Sequence, residues 1–417
     1  MNPHSRQPSR FVIACGGTGG HLFPGLAVAN KLVQRGCEVT LLISPKDVDQ
    51  QAVKCANEVD IVTLPAACLK RGGEVAFVRG FSQSYRLARK LFRWLKPQAA
   101  LAMGGFTSAP PILAAKAAGA RTFLHESNTI PGRANRWLSW IVDHGFIAFP
   151  AAAGRLRRCA VTVSGTPVRP QFQPRDAASC RVELGLEPAR PVVLVMGGSQ
   201  GASGVNELVV RSLPVLAKAA PEWQWMHLAG PNDTSRVQRA YAALNLTAVV
   251  HPFFDRMEFA LGAASAAVTR AGASTLAELS VMRLPALLVP YPAATDNHQW
   301  HNARAYATTG AARLLPQNEA TPEQLARSLT DLVRSGALRQ TMQAALARWE
   351  RPIAGDEIAD CMLEAVRTAE PRQPFRPSFV PRPAPQNARS NPAAAPVEPV
   401  AGRTIVRKTP RPEPASV

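Results

Sequence analysis

The chain has 417 residues, of which 46% are hydrophobic and 18% are charged. This length and composition indicate about two globular domains with full hydrophobic cores, and they exclude a wholly disordered chain and a small disulfide-stapled fold. No apolar run approaches the roughly 18 residues that a membrane-spanning helix needs. The formal net charge of +19 favours anionic partners, such as nucleic acid, phosphorylated substrates or an anionic membrane surface.

The first ten residues are polar, and the apolar run Phe11–Cys15 is too short for the core of a signal peptide. The seven cysteines are scattered and form no Cys-x-x-Cys pair. Such spacing is typical of reduced thiols rather than of disulfides or a zinc site, so we expect a cytoplasmic protein.

A unit typical of nucleotide-binding α/β domains occurs twice in the chain. The first copy is a strand over Phe11–Cys15, the glycine-rich loop Gly16–His21 and a helix over Leu22–Arg35. The second copy comprises, in the same order, Val192–Met196, Gly197–Gly201 and Asn206–Lys218. Two such units at domain spacing predict two doubly wound domains in series.

Eight more apolar runs are predicted strands, and most of them end in Gly, Pro, Asn or charged turns. They are Val39–Ile43, Ala99–Met103, Thr122–His125, Gly145–Ala148, Trp225–Leu228, Ala248–His251, Ala266–Thr269 and Ala286–Val289. Because helical stretches lie between many of them, the sequence predicts an α/β fold with parallel sheets that carry helices on both faces.

Three prolines stiffen the segment Gly165–Pro174, which we interpret as the linker between the domains. A single helical stretch, Glu323–Arg348, is expected to end the second domain. The predicted parts are a flexible N-terminus over 1–10, a first domain over 11–165, a second domain over 166–350, a C-terminal helix over 351–370 that packs back on the first domain, and a tail over 371–417. The tail holds twelve prolines in 47 residues and few large apolar side chains, which predicts disorder.

The two glycine loops predict a diphosphate site, the alternative being tight turns with no ligand. Glycine lets backbone N–H groups approach an anion closely, and the helix N-terminus behind each loop adds a partial positive charge. Neither loop matches GxGxxG, which disfavours a nicotinamide cofactor, and neither is a Walker loop. The second loop does fit GxSxG, so a serine hydrolase with Ser199 as nucleophile is a rival interpretation.

Several side chains near these loops are candidates for chemistry. His21 is suited to act as a general base, or to cap the helix and contact phosphate. Glu126, at the end of a predicted strand, is suited to accept a hydroxyl proton or to hold a neighbouring loop. Glu278 suits the two hydroxyls of a ribose, or it only complements a helix dipole. His298 and His301 are spaced for a metal, but no third ligand is evident, so we favour hydrogen bonding to a sugar.

A helix predicted over Phe77–Lys96 has two contrasting faces. Aromatic and aliphatic side chains gather on one of them. The opposite face carries Arg86, Arg89, Lys90, Arg93 and Lys96. An apolar arc bordered by cations is typical of a helix that lies on an anionic membrane, and equally of a core-facing helix with a solvated charged face.

A set of short motifs, in order over about residues 11–350, carries a resemblance. The motifs are Gly16–His21, Pro24–Ala29, Met103–Ser108, His125–Asn128, Pro131–Gly132, Asn135–Arg136, Thr166–Arg169, Gly197–Ala202, Pro252–Asp255, Arg270–Glu278 and Pro290–Gln299. On these residues the chain resembles the MurG family, which belongs to glycosyltransferase family 28. The resemblance implies a GT-B fold, in which two Rossmann-like domains face a cleft. It also implies transfer of N-acetylglucosamine from UDP-N-acetylglucosamine to undecaprenyl-diphosphate-linked N-acetylmuramoyl-pentapeptide in peptidoglycan synthesis.

The resemblance implies residue roles as well. The donor-binding positions would be Thr18, Gly19, Gly20, Asn128, Arg169, Ser199, Phe254, Ala273, Ser274, Thr275, Leu276, Ala277, Glu278 and Gln299. Among these, the backbone of Phe254 would meet the uracil and Glu278 the ribose. Ser127, Phe106, Thr166 and Phe254 depart from the family pattern, in which Gln, Tyr, Asn and an aliphatic residue are usual. For an inverting transfer, we expect His21 or Glu126 to be the catalytic base.

The expected partners are the donor, the lipid-linked acceptor and an anionic surface of the inner membrane. The enzyme would bind that membrane peripherally, on its cytoplasmic side. No metal site and no required cofactor are expected, and a divalent cation would at most stimulate. Two other classes stay open: a sensor that binds the sugar nucleotide without turnover, and a basic nucleic-acid binder. We expect no nucleic acid, because no module that binds it is evident in the sequence.

Overall fold

The computed structural model describes residues 8–15, 19–45, 59–65, 74–198 and 201–368. The predicted tail over 371–417 and most of the predicted N-terminal segment lie outside these residues. The described residues form two parallel sheets with helices between their strands. This confirms the predicted α/β class with two Rossmann-like domains.

The first sheet is parallel throughout. Its strands are β1 (Arg10–Ala14), β2 (Glu38–Ile43), β3 (Asp60–Thr63), β4 (Ala99–Ala102), β5 (Arg121–Glu126), β6 (His144–Ile147) and β7 (Ala160–Val163), in the spatial order β3-β2-β1-β4-β5-β6-β7. Its helices are α1 (Gly19–Gln34), α2 (Glu74–Leu95), α3 (Ala109–Ala117) and α4 (Arg133–Leu138), with 3-10 turns at Phe106–Ser108 and Pro150–Arg155. Along β1, Phe11 and Ile13 enter one apolar core while Val12 and Ala14 enter another, so both faces of the sheet are covered.

The second sheet repeats this plan. Its strands are β8 (Val192–Met196), β9 (Gln224–Leu228), β10 (Thr247–His251), β11 (Ala266–Thr269), β12 (Ala286–Leu288) and β13 (Arg313–Leu314), in the order β10-β9-β8-β11-β12-β13. Its helices are α5 (Ala177–Glu183), α6 (Ser203–Ala219), α7 (Thr234–Ala242), α8 (Met257–Ala263), α9 (Ala273–Met282), α10 (His298–Thr308), α11 (Pro322–Arg334) and α12 (Gly336–Ala347), with a 3-10 turn at Thr295–Asn297. In both sheets the strand order reverses at the first strand of the domain, which leaves a crevice at the carboxyl ends of the strands.

Three strands were missed by the sequence prediction, namely β3, β7 and β13. All three lie at the edge of a sheet. Most of their side chains are half-buried or exposed, whereas β1, β4 and β8 are almost entirely buried. These three edge strands therefore lack the continuous apolar run by which the inner strands were predicted, whereas the edge strand β10 was predicted from Ala248–His251.

The predicted single helix over Glu323–Arg348 is wrong, because two helices occupy this stretch. Ser335 separates α11 from α12 with an extended backbone, at φ −84° and ψ 100°. Its side chain accepts a hydrogen bond from the backbone N–H of Leu338 and so caps α12. The Ser335-Gly336 pair is a stop and start signal, since serine favours the N-cap and glycine weakens a helix interior.

A last helix, α13 (Ala354–Arg367), follows the second domain and packs on α1 of the first. Ile358, Ala359, Met362 and Leu363 of α13 are buried in the core of the first domain. The chain thus crosses between the two domains a second time. None of the helices in the described part of the chain is both long and apolar enough to span a bilayer.

Candidate active site

The two domains meet at the N-termini of helices α1 and α9. Each helix follows a strand beside the reversal in its sheet, β1 in the first sheet and β11 in the second. The Ser274 hydroxyl, in the first turn of α9, donates a hydrogen bond of 3.1 Å to the carbonyl oxygen of Gly20 in α1. Two helix N-termini are therefore close together between the domains, and their partial positive charges favour an anion there.

The first glycine loop leads directly into α1. Gly19 and Gly20 are the first residues of this helix, whereas Thr18 lies outside the described residues. His21 follows in the first turn, half-buried against Gly104, whose φ is +120°. A Cβ on Gly104 would lie 2.8 Å from the His21 Nε2 atom, so only glycine leaves room for this ring. The imidazole of the predicted base is thus held between α1 and the turn after β4.

The second glycine turn connects β8 to α6. Ser199, a predicted donor contact, lies outside the described residues. Gly198 and Gly201 have φ angles of +106° and +76°, in the left-handed region that favours glycine. The first turn of α6 has no side-chain cap and no acidic residue. Its backbone N–H groups are therefore suited to bind an anion.

Helix α9 carries the predicted nucleotide-binding segment from Ala273 to Glu278. Leu276 is buried in this segment, and Ala273, Ser274, Thr275, Ala277 and Glu278 are half-buried. Within the described part of the chain, the Glu278 carboxylate makes no hydrogen bond and no ion pair. Burial raises the pKa of Glu278 to about 7, although the charge of Arg169 opposes the rise. Such a carboxylate is suited to accept hydrogen bonds from two hydroxyls of a ligand.

Arg169 lies in the segment between the sheets and is stacked between two aromatic rings. Its guanidinium carbon is 4.4 Å from the centroid of Phe23, in α1, and 4.9 Å from that of Phe172. Its Nε atom is buried and has no hydrogen-bond partner among the described residues. A guanidinium with an unused buried donor is suited to receive a phosphate or carbonyl oxygen from a ligand.

Glu126 ends β5 and is fully hydrogen-bonded. Its Oε1 accepts from the backbone N–H of Asn128 at 2.8 Å and from the Asn128 side chain at 3.2 Å. Its Oε2 accepts from the backbone N–H of Gly132 and from Asn135 Nδ2, each at 2.9 Å. Burial raises the pKa of Glu126, and these four bonds act in the opposite direction. The geometry is that of a carboxylate which holds the turn over 126–135, while its role as a base stays a prediction.

Asn128 is tied to the second domain through Asn302 of α10. Asn302 Nδ2 donates to Asn128 Oδ1 at 3.0 Å and to the carbonyl oxygen of Ala271 at 3.2 Å. Its Oδ1 accepts from both the backbone N–H and the hydroxyl of Thr129, each at 2.9 Å. One fully buried amide therefore joins the turn after β5 to the residues just before α9. Asn302 was not predicted to have a role of its own, because nothing local in the sequence distinguishes it from the polar residues around it.

Gln299 lies in the first turn of α10, where its Oε1 accepts a hydrogen bond of 2.9 Å from the backbone N–H of Tyr291. Just before this turn, Asp296 and Asn297 have φ angles of +51° and +52°, which is uncommon for residues other than glycine. Asp296 forms an ion pair of 2.6 Å with Arg136 of the first domain. The loop that presents Gln299 is thus held from both domains.

Phe254 follows β10 and is half-buried. Its ring stacks on His251, with 5.4 Å between the ring centroids. The neighbouring Phe253 is half exposed. The aromatic pair fixes the backbone of the segment that was predicted to meet a base.

The two histidines considered as metal ligands are placed differently from each other. His298 Nδ1 is 2.8 Å from the carbonyl oxygen of Thr295, and His301 packs edge-on against Trp300. Within the residues that the structure describes, no group of three or more His, Cys, Asp or Glu side chains has the arrangement of a metal site.

Two family models match the chain. The description "Glycosyltransferase family 28 N-terminal domain" matches residues 11–147, and "Glycosyltransferase family 28 C-terminal domain" matches residues 192–355. Each match contains the glycine turn and most strands of one sheet. The two turns and α9 thus lie within the family-defining parts of the chain.

Two relatives that are at least 33% identical carry the same name. The UDP-N-acetylglucosamine--N-acetylmuramyl-(pentapeptide) pyrophosphoryl-undecaprenol N-acetylglucosamine transferase of Anaeromyxobacter dehalogenans is 36% identical over 372 residues, which cover 86% of this chain and 93% of that protein. The transferase of the same name from Geobacter sulfurreducens is 33% identical over 367 residues, covering 87% and 100%. The crystal structure of Acinetobacter baumannii MurG is 29% identical with a TM-score of 0.67, covering 86% and 100%. The chain therefore belongs to glycosyltransferase family 28, as its motifs predicted.

Proposed function

We propose that this chain transfers N-acetylglucosamine from UDP-N-acetylglucosamine to an undecaprenyl-diphosphate-linked N-acetylmuramoyl-pentapeptide, a step of peptidoglycan synthesis. The observation that carries the proposal is the Glu278 carboxylate, which has no partner among the described residues and lies one helical turn beyond Ser274, the residue of α9 that bonds to α1. It provides an acceptor for ribose hydroxyls beside two helix N-termini suited to a diphosphate. The names of the relatives supply the identity of donor and acceptor.

In the proposed reaction, a sugar hydroxyl of the acceptor attacks the anomeric carbon of the donor from the face opposite the leaving group. The new glycosidic bond forms as the bond between that carbon and the diphosphate oxygen breaks, so the configuration inverts. The hydroxyl proton passes to a base, and UDP leaves with the electron pair. The N-termini of α6 and α9, together with Arg169, stabilise the charge that develops on the diphosphate. Because these groups supply the positive charge and a side chain of the protein supplies the base, the proposal requires no cofactor.

We assign the base to His21 and a positioning role to Glu126. His21 stands in the first turn of α1, next to the junction with α9, whereas all four hydrogen bonds to Glu126 come from the turn that it holds. A carboxylate with both oxygens occupied has no place for a substrate hydroxyl unless the turn opens. Of the two roles predicted for Glu126, we thus propose the one in which it holds a neighbouring loop.

Substitution of His21 and Glu126 tests the assignment. His21→Ala should lower kcat by about 10²-fold or more at saturating donor, with little change in the melting temperature. Glu126→Gln should lower the melting temperature, because the new amide would point its NH2 donor at N–H groups from which Glu126 now accepts hydrogen bonds. It should reduce kcat only to the extent that the turn is displaced. A near-normal kcat in His21→Ala would remove His21 as the base.

Release of UDP tests the proposed function itself. The chain is mixed with UDP-N-acetylglucosamine and a lipid-linked muramoyl-pentapeptide, with UDP-glucose as the control donor. We expect UDP release that requires the acceptor and is much slower with UDP-glucose. Donor binding without UDP release would indicate a sensor, and reaction of Ser199 with a fluorophosphonate would indicate a hydrolase. Either result would contradict the proposal.

Helix α2 supports the place of action that we include in this proposal. Only Ser84, Ala88 and Phe92 of its 22 residues are buried, while Val75 and Trp94 are 83% and 77% exposed. The exposed cations of the helix are Arg79, Arg86, Arg89, Lys90 and Arg93. Apolar side chains in water beside a run of cations suit the interface of an anionic bilayer. The enzyme accordingly binds the cytoplasmic side of the inner membrane through α2, where its lipid-linked acceptor is anchored.

A further inference from the structure

A buried polar cluster lies beside the second glycine turn, and the transfer reaction as described gives it no role. Its central residue is His227 of β9, whose ring contacts Asn206 of α6 and Tyr241 of α7. All three side chains are almost completely buried. Three polar side chains in an apolar core are costly unless each one is hydrogen-bonded, so the direction of every bond matters.

The partners fix the direction of each bond. Asn206 Nδ2 is 2.7 Å from the carbonyl oxygen of Ala229 and 2.9 Å from Asp233 Oδ2, and both of these atoms accept. Asn206 Oδ1 therefore faces His227, whose Nε2 donates to it across 3.0 Å. His227 Nδ1 is then the acceptor for the Tyr241 hydroxyl at 3.1 Å. Burial lowers the pKa of His227 to about 3, so the ring is neutral and keeps this tautomer at neutral pH.

The hydrogen-bonded cluster ends beside the glycine turn. The carbonyl group of Ala229, which accepts from Asn206, packs directly against Gly201, since a Cβ on Gly201 would lie 2.5 Å from that oxygen. Gly201 N–H donates to the Gly198 carbonyl at 3.0 Å and closes the turn. The backbone N–H of Asn206 donates to the Ala202 carbonyl at 2.9 Å, in the first turn of α6. Asn206 thus holds the Ala229 carbonyl group that packs on the glycine turn, and it also belongs to the first turn of α6, which follows that turn.

We propose that Tyr241, His227 and Asn206 are positioning residues which hold the second glycine turn and the N-terminus of α6 in the geometry that binds the diphosphate of the donor. The inference rests on the proposed function, because that function supplies the diphosphate. The three side chains are buried, and they act through the Ala229 carbonyl group that packs on Gly201. Their loss therefore weakens donor binding more than it slows the chemical step.

His227→Leu and His227→Gln test the proposal. Leucine keeps much of the volume but removes both hydrogen bonds, whereas the glutamine amide has one donor for Asn206 and one acceptor for Tyr241. In His227→Leu we expect the KM and the calorimetric Kd for UDP-N-acetylglucosamine to rise about tenfold or more, with the acceptor KM unchanged and kcat at saturating donor within about threefold. His227→Gln should recover most of the donor affinity.

A matched control lies in the same strand. Gln224 of β9 is equally buried and is hydrogen-bonded to the backbone of Glu187 and Arg190, at the amino end of the strand and away from the glycine turn. Gln224→Leu should lower the melting temperature without raising the donor KM. If His227→Leu does not fold, Tyr241→Phe removes a single hydroxyl and should raise the donor Kd in the same direction by a smaller factor.

The outcomes separate this inference from the proposed function. A destabilised His227→Leu with wild-type donor affinity would refute the positioning role, and so would an equal rise of donor KM in Gln224→Leu. Wild-type protein that neither binds UDP-N-acetylglucosamine nor releases UDP would contradict the proposed function instead. The positioning role would be established if donor binding is weak in His227→Leu, is restored in His227→Gln and is unchanged in Gln224→Leu.

Discussion

At the scale of single residues, burial sets the acid–base chemistry of Glu278. Its pKa rises from the ordinary 4.5 to about 7 because the surrounding protein disfavours the charged form, and Arg169 compensates only in part. The folded chain therefore holds this proton more tightly than the unfolded chain does. As the pH rises from about 4.5 to about 7, the unfolded chain loses this proton before the folded chain does, so the stability of the fold decreases over this range and levels off above about pH 7. Site chemistry and stability oppose each other at this residue.

Donor affinity should depend on pH through Glu278. In the proposed complex the carboxylate accepts hydrogen bonds from two ribose hydroxyls, and the protonated acid is a weaker acceptor. We expect the Kd of UDP-N-acetylglucosamine to fall about tenfold between pH 6 and pH 8 and then to level off. The diphosphate diester of this donor does not titrate in that range. Glu278→Gln should bind more weakly and show no such dependence in calorimetry. Glu183→Gln, which changes an exposed carboxyl in α5, is the control, and a wild-type pH profile in Glu278→Gln would contradict the assignment.

Glu126 is also a buried carboxylate, but unlike Glu278 it is fully hydrogen-bonded. It was predicted either to take a proton or to hold a loop, and both functions require the same residue type at the same strand end. The sequence has no means to choose between them, because the choice depends on whether donors converge on the carboxylate. Asn128, Gly132 and Asn135 provide those donors, and they do so only once the chain turns after β5.

At the scale of elements, α2 faces the core along one edge, and its membrane-binding role stays a proposal. Ala88 and Phe92 are buried in the first domain, and Phe81 and Tyr85 pack partly against the same core. The helix is therefore core-facing along one edge. The pattern alone overstates the free apolar arc, because a helical wheel does not show which part of the arc the sheet will cover. Val75, Val78, Leu87 and Trp94 remain exposed, and they form the surface available to a membrane.

Trp94 should contribute directly to membrane binding. We expect the full chain to sediment with vesicles that contain phosphatidylglycerol and much less with phosphatidylcholine alone. Trp94→Ser should weaken this binding about tenfold, since a large exposed aromatic surface no longer enters the interface. Val182→Ser, at a 62% exposed position in α5 of the second domain, is the matched control. Equal binding by Trp94→Ser and the wild type would contradict the role of α2.

At the scale of the whole molecule, several contacts besides the hydrogen bond from Ser274 to Gly20 join the two domains. Asn302 forms a buried amide bridge to Asn128 and Thr129, and Arg136 forms an ion pair with Asp296. Helix α13 adds a second connection by packing on α1. These contacts link residues more than 150 positions apart in the chain. They hold the first turn of α1 and the first turn of α9 close together, which is the condition for a site between the domains.

The ion pairs of Arg35 should stabilise the contact between α13 and α1. Arg35 bonds to Asp360 at 2.7 Å and to Asp356 at 3.0 Å, and Lys31 also pairs with Asp356 at 3.0 Å. Burial alone would raise the pKa of Asp356, but Lys31 and Arg35 outweigh it and lower that pKa. The stabilisation is therefore present above about pH 4, the ordinary range for Asp, and is lost as the pH falls through the lowered pKa.

Arg35→Met removes most of this network. We expect a loss of about 1 kcal/mol in the free energy of unfolding at low salt, and a smaller loss at about 0.5 M salt because the charges are partly exposed. Arg190→Met, which breaks an exposed pair with Glu187 inside the second domain, is the control and should have less effect. Thermal melts at both salt concentrations measure the difference. A loss that does not depend on salt would indicate packing of the Arg35 stem rather than charge.

The sequence by itself determined the inner strands, the two glycine turns and the family, because apolar runs, glycine spacing and short motifs are local properties of the chain. The predicted Val192–Met196 and Ala266–Thr269 coincide with β8 and β11 to the residue. The tertiary structure alone decided the edge strands β3, β7 and β13, the bonding of Glu126, the bridge through Asn302 and the direction of the His227 hydrogen bonds. Each of these depends on groups that are distant in sequence and meet only when helices and strands pack, so their energies have no local signature.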